Sequence, residues 1–169
     1  MAQKAITIYT PSTSPAHIYA EDDAQIHRGL IGGSGILQAD EQLLCSVSGA
    51  TAVSMASGVY SNQGFLLVIE GGTAVSFSID LPSAGAYRKD LLVADFIKGG
   101  GDTPDVHTFH IVKGTEAVTS EGAADPTLVE NDLITGGLQR QEALWRVLVD
   151  ENGVTGVERV ADYIGAVYQ

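Results

Sequence analysis

From about residue 42 the chain runs through short apolar segments in close succession: "LLCSV", "ATAVSM", "GFLLVIE" and "GTAVSFSID", separated by Gly, Ser and Asn. In the last of these, Val75, Phe77 and Ile79 alternate with Ser76, Ser78 and Asp80. A period of two is the pattern of a strand with one face on a core and one in water. After the turn "LPSAGA" comes "DLLVADFI", apolar on both parities, which predicts a strand covered on both faces. "VHTFHIVKG" and "EALWRVLVDENG" follow as strands, and "VTGVERV" returns from the Glu151-Asn152-Gly153 turn as the second arm of a hairpin. Short strands at close spacing, punctuated by turn residues, predict an all-β fold: a mainly antiparallel sandwich or a barrel-like closure of eight to ten strands. The 20 glycines against 5 prolines in 169 residues suit that reading, because tight turns consume glycine. A chain of this length carries one domain by default and can bury a core without staples.

The N-terminal part has a different grammar. Residues 1–19 join a short strand pattern, "AITIY", to the Pro/Ser/Thr segment "TPSTSP", which predicts an extended arm or tether. In "AEDDAQIHRG", Glu21, Asp22 and Asp23 come first, and His27 and Arg28 come last before Gly29. Acids at the start, bases at the end and a glycine stop favour one short helix of about two turns over residues 20–29. The rest, residues 20–169, is expected to be a single β-rich module. The glycine cluster "GLIGGSGIL" lacks the G-K-[ST] ending of a phosphate loop and does not follow a strand, so it is expected to be a turn or a close backbone contact. Residues 115–137 are polar, acidic and aperiodic. They predict a long loop with at most one helical turn, of the kind that often meets a partner.

Several function classes lose ground on charge and motifs. The net charge of −12 opposes binding to nucleic acid and to anionic membranes. The longest central apolar run, Phe65–Ile69, is far short of a membrane span, and the first residues lack the apolar core of a signal peptide. Cys45 is the sole cysteine and is expected to be a buried thiol. Glu21, Asp22 and Asp23 do not have the spacing of a calcium loop. His107 and His110 stand three apart on a predicted strand, so they point to opposite faces and cannot share a metal. Ser34 in "GGSGI" fails the nucleophile-elbow pattern at Ile36. The carboxylate pairs Asp22/Asp23 and Glu130/Asp132 are expected by number alone in a chain with 21 acids. No catalytic, cofactor-binding or metal-binding residue is therefore assigned. Tyr60, Tyr87 and Trp145 are the aromatic candidates for an exposed sugar-binding face. Arg88-Lys89-Asp90, at the mouth of the doubly apolar strand, are expected to form a fastening. Alternation puts Arg88 and Asp90 on one side, bonded to each other or to loop carbonyls, and leaves Lys89 in solvent.

Five segments in order carry a resemblance: "HIYAEDDAQIHRGLIGGSGIL", "SVSGATAVSMASGVYSNQGFLLVIEGGT", "YRKDLLVADF", "HIVKGT" and "ALWRVLVDENGVTGVERV", together spanning about residues 17–160. The set resembles a family of small virion proteins encoded in phages and prophages of Gram-positive, often gut, bacteria. Trp145 stands where that family has Tyr, and residues 99–105 are unusually rich in glycine. The resemblance implies a non-enzymatic structural or adsorption-related role in the virion. Because the chain ends soon after the shared module, a separate sugar-binding head is not expected. That favours a fibre base, an attachment adaptor on the tail tip or baseplate, or a subunit on the capsid surface. A capsid decoration or head-fibre protein, or a carbohydrate-binding module in host adsorption, is the alternative. Expected partners are further copies of the chain, with a homotrimer as the expected assembly, and other virion proteins. A host cell-surface glycan is a further candidate partner. No cofactor is expected, and assembly is expected in the cytoplasm of the bacterial host.

Overall fold

The computed structural model describes residues 20–165. The expected N-terminal arm, residues 1–19, lies outside the described residues, as does the end of the apolar C-terminal segment. The described chain forms one helix, α1 (Ala20–Ile31), and nine strands. The strands are β1 (Gly35–Leu37), β2 (Cys45–Gly49), β3 (Ala52–Asn62), β4 (Phe65–Ser78), β5 (Tyr87–Ile97), β6 (Val106–Val112), β7 (Gln139–Asp150), β8 (Gly153–Arg159) and β9 (Tyr163–Ile164). They make two sheets. In the first, β2 and β1 share one edge of β3, β9 lies beyond β1, and β4 occupies β3's other edge. The second has the order β6-β5-β7-β8. Every pairing is antiparallel except β1 with β9. The all-β, mainly antiparallel fold expected from the strand pattern, a sandwich or a barrel-like closure, is what the chain forms, here as two sheets.

The core lies between the sheets. Ile36, Val53 and Met55 from the first sheet meet Leu92, Leu144 and Val147 from the second. On one side the sheets are stitched together: Val154 N–H, on β8, donates to the Ala50 carbonyl at the β2–β3 turn (2.8 Å). On the other side β4 approaches β6, and the rings of Phe65 and Phe96 stack with centroids 4.2 Å apart.

Several elements differ in extent from the sequence reading. Helix α1 runs to Ile31, about three turns, because Gly29 sits inside it and the stop is Gly32. Gly32 has the left-handed φ of 95° that a helix-ending residue needs, and its N–H reaches back to the Arg28 carbonyl. The two segments "GFLLVIE" and "GTAVSFSID" form one 14-residue strand, β4, which pauses at Glu70–Thr73 opposite Ser57. Phe77 and Ile79 are buried as alternation requires, but Val75 is 40% exposed, because nothing among the described residues lies beyond β4's outer edge at that point. "LLCSV" starts as a strand only at Cys45. Leu43 instead belongs to a turn in which Asp40, Gln42 and Leu43 all have positive φ. Left-handed backbone at non-glycine residues costs on the order of 1–3 kcal/mol each. The turn is held by its contacts: Leu43 is fully buried, its N–H donates to the Ser57 carbonyl, and its carbonyl accepts from the Trp145 indole (3.0 Å).

The long loop between β6 and β7 is present, without a helix. Its nearest approach to one is a single turn in which Ala123 N–H donates to the Thr119 carbonyl. The loop is strapped to the second sheet. Ala117 exchanges two backbone hydrogen bonds with Tyr87, and Gln141 N–H donates to Val129 (2.7 Å). Asp125 takes a two-pronged ion pair from Arg146. This strap is why β5 is apolar on both parities. Leu92 and Ala94 face the core, while Leu91 and Val93, of opposite parity, are equally buried.

Helix α1 docks through the β3–β4 turn. Gln63 and Gly64, with φ of 50° and 94°, make a two-residue hairpin turn of the type that matches strand twist. His27 Nδ1 lies 2.9 Å from the Gly64 carbonyl, and the Arg28 guanidinium donates to the Gln63 carbonyl (2.8 Å). A Cβ at Gly64 would sit 2.0 Å from the carbonyl oxygen of Ala24. Gly64→Ala should therefore cost more than about 2 kcal/mol, through both its φ and the lost helix docking. Urea denaturation measures this, and Gly29→Ala, inside the helix and with open space around it, should be neutral or stabilising.

Candidate functional site

Among the described residues, buried polar side chains gather at three places, and a pocket lies beside the first of them. The first is at the mouth of β5. Arg88 and Asp90 point inward on the same face and are each 1% exposed. The guanidinium grips the carboxylate with two bonds, Nε to Oδ1 at 2.7 Å and Nη2 to Oδ2 at 2.8 Å. Nη2 also donates to the Asp80 carbonyl (2.6 Å), and Asp90 Oδ1 accepts from Gly114 N–H (2.9 Å). One ion pair thus ties the entry to β5, the chain leaving β4 and the chain leaving β6. The hydrogen bond to Asp90, working against burial, raises the Arg88 pKa above its ordinary value. The expected fastening is present. Lys89, on the opposite face, is half-buried instead of free in solvent, because the strap crosses that face: Lys89 lines a pocket with Ser120 and Ala123.

The second cluster surrounds Glu142 on β7, which is buried. Its carboxylate accepts from Ser34 Oγ (2.8 Å), Tyr60 OH (2.9 Å) and Arg140 Nε (2.5 Å). Ser34 in turn accepts from Gln63 N–H. Burial first, then the neighbouring Glu142 charge, pushes the Tyr60 hydroxyl pKa upward, so it stays a donor. Ser34, set aside as a nucleophile on its motif, has its proton committed to this carboxylate.

The third cluster lies on the outer face of the second sheet. Asp95, buried within the apolar run of β5, accepts from His110 Nε2 (2.9 Å), Gln139 and Gln141. Burial pushes the Asp95 carboxyl up, but hydrogen bonds from Gln141, His110 and Gln139 outweigh it and hold the pKa below the ordinary value. Sequence reasoning missed this group. The signal was an acid inside "LLVADFI" opposite a Gln-x-Gln pair in register, which only the pairing Asp95↔Gln141 reveals.

His107 and His110 do point to opposite faces. His107 lies edge-on to Phe96, with ring centroids 5.4 Å apart, where β6 approaches β4. Its Nε2 is buried without a partner among the described residues. Burial lowers its pKa from 6.5 to about 4, against a backbone hydrogen bond at Leu66 and the distant Asp95 charge. Cys45 is buried, and burial raises its thiol to about 11. Among the described residues no three His, Cys, Asp or Glu side chains converge as metal ligands. Of the aromatic candidates, Tyr60 and Trp145 are corrected: both are core residues, 2% and 6% exposed, whose polar tips are spent on Glu142 and the Leu43 carbonyl. Tyr87 alone is exposed, at 38%. It borders a mostly apolar pocket of about 120 Å³ with Lys89, Leu148, Thr155, Ser120 and Ala123, between the second sheet and the strap.

No helix among the described residues is long and apolar enough to cross a membrane. Comparison of the chain with protein-family models, with curated proteins and with solved structures finds no match.

Two outcomes test these assignments. Arg88→Ala strands a buried carboxylate and should cost about 3–5 kcal/mol, whereas Arg88→Met combined with Asp90→Leu should recover only part of the loss, because the Asp80 carbonyl and the Gly114 N–H stay without their partners. Chemical denaturation of the single and double variants decides, and a double variant as stable as the parent chain would contradict the clasp. His107 is favoured neutral in the fold, so its contribution is intact above pH 6.5 and is lost as pH falls toward 4. Between pH 7 and pH 5 it should remove up to about 2 kcal/mol. A His107→Gln variant should flatten that part of the stability–pH curve.

Proposed function

We propose that this chain is a non-enzymatic virion structural subunit of a phage. It would act as an attachment, adaptor or fibre-base protein that works as a homo-oligomer, with a trimer as the expected assembly, on the tail tip, baseplate or capsid surface. The phage assignment rests on the ordered resemblance of five segments over about residues 17–160. The observation that carries the structural role is how the charged and polar side chains are used. Arg88–Asp90, Ser34–Glu142–Tyr60 and Asp95–His110 each hold strands or loops together, and most of their hydrogen-bonding capacity goes to that task, although Arg88 Nη1 is buried with no partner among the described residues. Exposed apolar side chains, among them Ile26 and Leu30 of α1 and Leu66 and Val68 of β4, support association with other chains.

A second reading, a glycan-binding module in host adsorption, keeps one favourable observation: exposed Tyr87 beside its pocket. Light scattering at micromolar concentration should give a mass of several protomers, and labelled antibody should locate the chain on purified virions. A fully folded monomer at tens of micromolar, absent from virions, would sink the structural reading. Selective retention on a glycan array, lost in Tyr87→Ala, would favour the second.

A further inference from the structure

We infer that the outer edge of β4 over Ala74–Ser78 is a self-pairing edge, at which two copies of the chain join their first sheets antiparallel across a two-fold axis centred on Ser76. The inference deepens the homo-oligomer reading proposed above and rests on it.

The hydrogen-bonding parity of β4 identifies which groups are free. Ile79 N–H donates to the Thr51 carbonyl, and that pair belongs to the same register as Phe77↔Val53 and Val75↔Met55. On β3's other side, Ala56 N–H donates to Leu44, so even-numbered residues of β3 turn toward β2 and odd-numbered ones toward β4. In an antiparallel ladder a residue turns both of its backbone groups to the same side. Val75 and Phe77 therefore spend theirs on β3, and Ala74, Ser76 and Ser78 point N–H and C=O away from the sheet. Beyond that edge no described strand pairs.

Proteins usually guard such an edge with Lys, Pro or an inward-pointing charge. Strand β4 has neither Lys nor Pro, and its one charge, Glu70, lies outside the Ala74–Ser78 window. The open groups specify a β-strand as occupant, and the side chains specify which strand. With Ser76 opposite Ser76 of a second copy, Ala74 faces Ser78, and all the free groups of these residues meet as hydrogen-bonded pairs. Residues directly opposite share a face, so Val75 then meets Phe77 of the second copy on the core side. Val75, 40% exposed, would be covered, and the two cores would run on into one another. No like charges oppose in this register. The contact is isologous, so it builds dimers, or hexamers if a three-fold contact also exists.

The test uses the full chain. Ser76→Pro removes an outward N–H that the fold does not use, so the variant should keep its β circular dichroism while self-association weakens at least tenfold by sedimentation. Ser76→Cys should give a symmetric disulfide-linked dimer under mild oxidation, and Thr73→Cys should not. An even-numbered assembly halved by Ser76→Pro supports the inference. A trimer that ignores Ser76→Pro overturns this edge and leaves the oligomer reading standing, whereas a monomeric parent chain overturns both. Should Ser76→Pro fail to fold, the Ser76→Cys cross-link decides. A cross-link from Ser76→Cys to Thr7→Cys in place of the symmetric one would assign the edge to the N-terminal segment and overturn the inference.

Discussion

Strand β5 has to be covered twice. It is the central partner of both β6 and β7, and its side chains are apolar on both parities, so a single packed face would leave half of it in water. Leu92 and Ala94 are satisfied by the opposing sheet. Leu91 and Val93 are satisfied by a long polar strap, which has no regular structure of its own and is fixed by borrowed bonds from Tyr87, Gln141 and Arg146. The clasp at the strand's mouth follows from the same demand. A strand buried on both faces cannot end in water abruptly, and the chains around its entry carry carbonyl and amide groups that need partners. Arg88 and Asp90 supply them from one side of one strand.

Burial of charge in this protein is consistently paired. Arg88 with Asp90, Arg140 with Glu142, and Asp95 with His110 and two glutamines all sit at places where a loop or helix meets a sheet. At each site, removing the donors leaves a buried carboxylate dehydrated, which is far more costly than the pairing is stabilising. These pairs therefore act more as registration devices than as net sources of stability. They specify where the strap, α1 and the β4–β5 connection lie. His107 is the exception, an imidazole kept neutral by its apolar surroundings at the less tightly stitched side of the sandwich.

The strand pattern was readable because alternation is a local property. "GTAVSFSID" announces its period whatever it packs against, and the Glu-Asn-Gly turn announces a hairpin between β7 and β8. The clasp was readable for the same reason, since residues two apart on a strand share a face. What failed were judgements that need a third dimension. Tyr60 and Trp145 are aromatic and carry polar tips, which suits a sugar-binding surface as well as a core. Only the Glu142 carboxylate and the Leu43 carbonyl, 82 and 102 residues away in sequence, show that they are core. Lys89 was expected in solvent because the strap that crosses it has no periodicity to reveal where it goes. Gly29 seemed a helix stop because its composition matched one, but the left-handed backbone is at Gly32.

The sequence by itself determined an acidic all-β chain with one short helix, a core built from alternating strands, and an Arg-x-Asp clasp. All of these follow from side-chain period and from charge over a few residues. Tertiary structure alone decided that β4 is a single long edge strand, that the polar loop is the second cover of β5, and that Glu142 and Asp95 gather their donors from distant strands. These depend on which strands become neighbours. That is settled by the summed burial of the whole core, to which no short stretch of sequence holds the key.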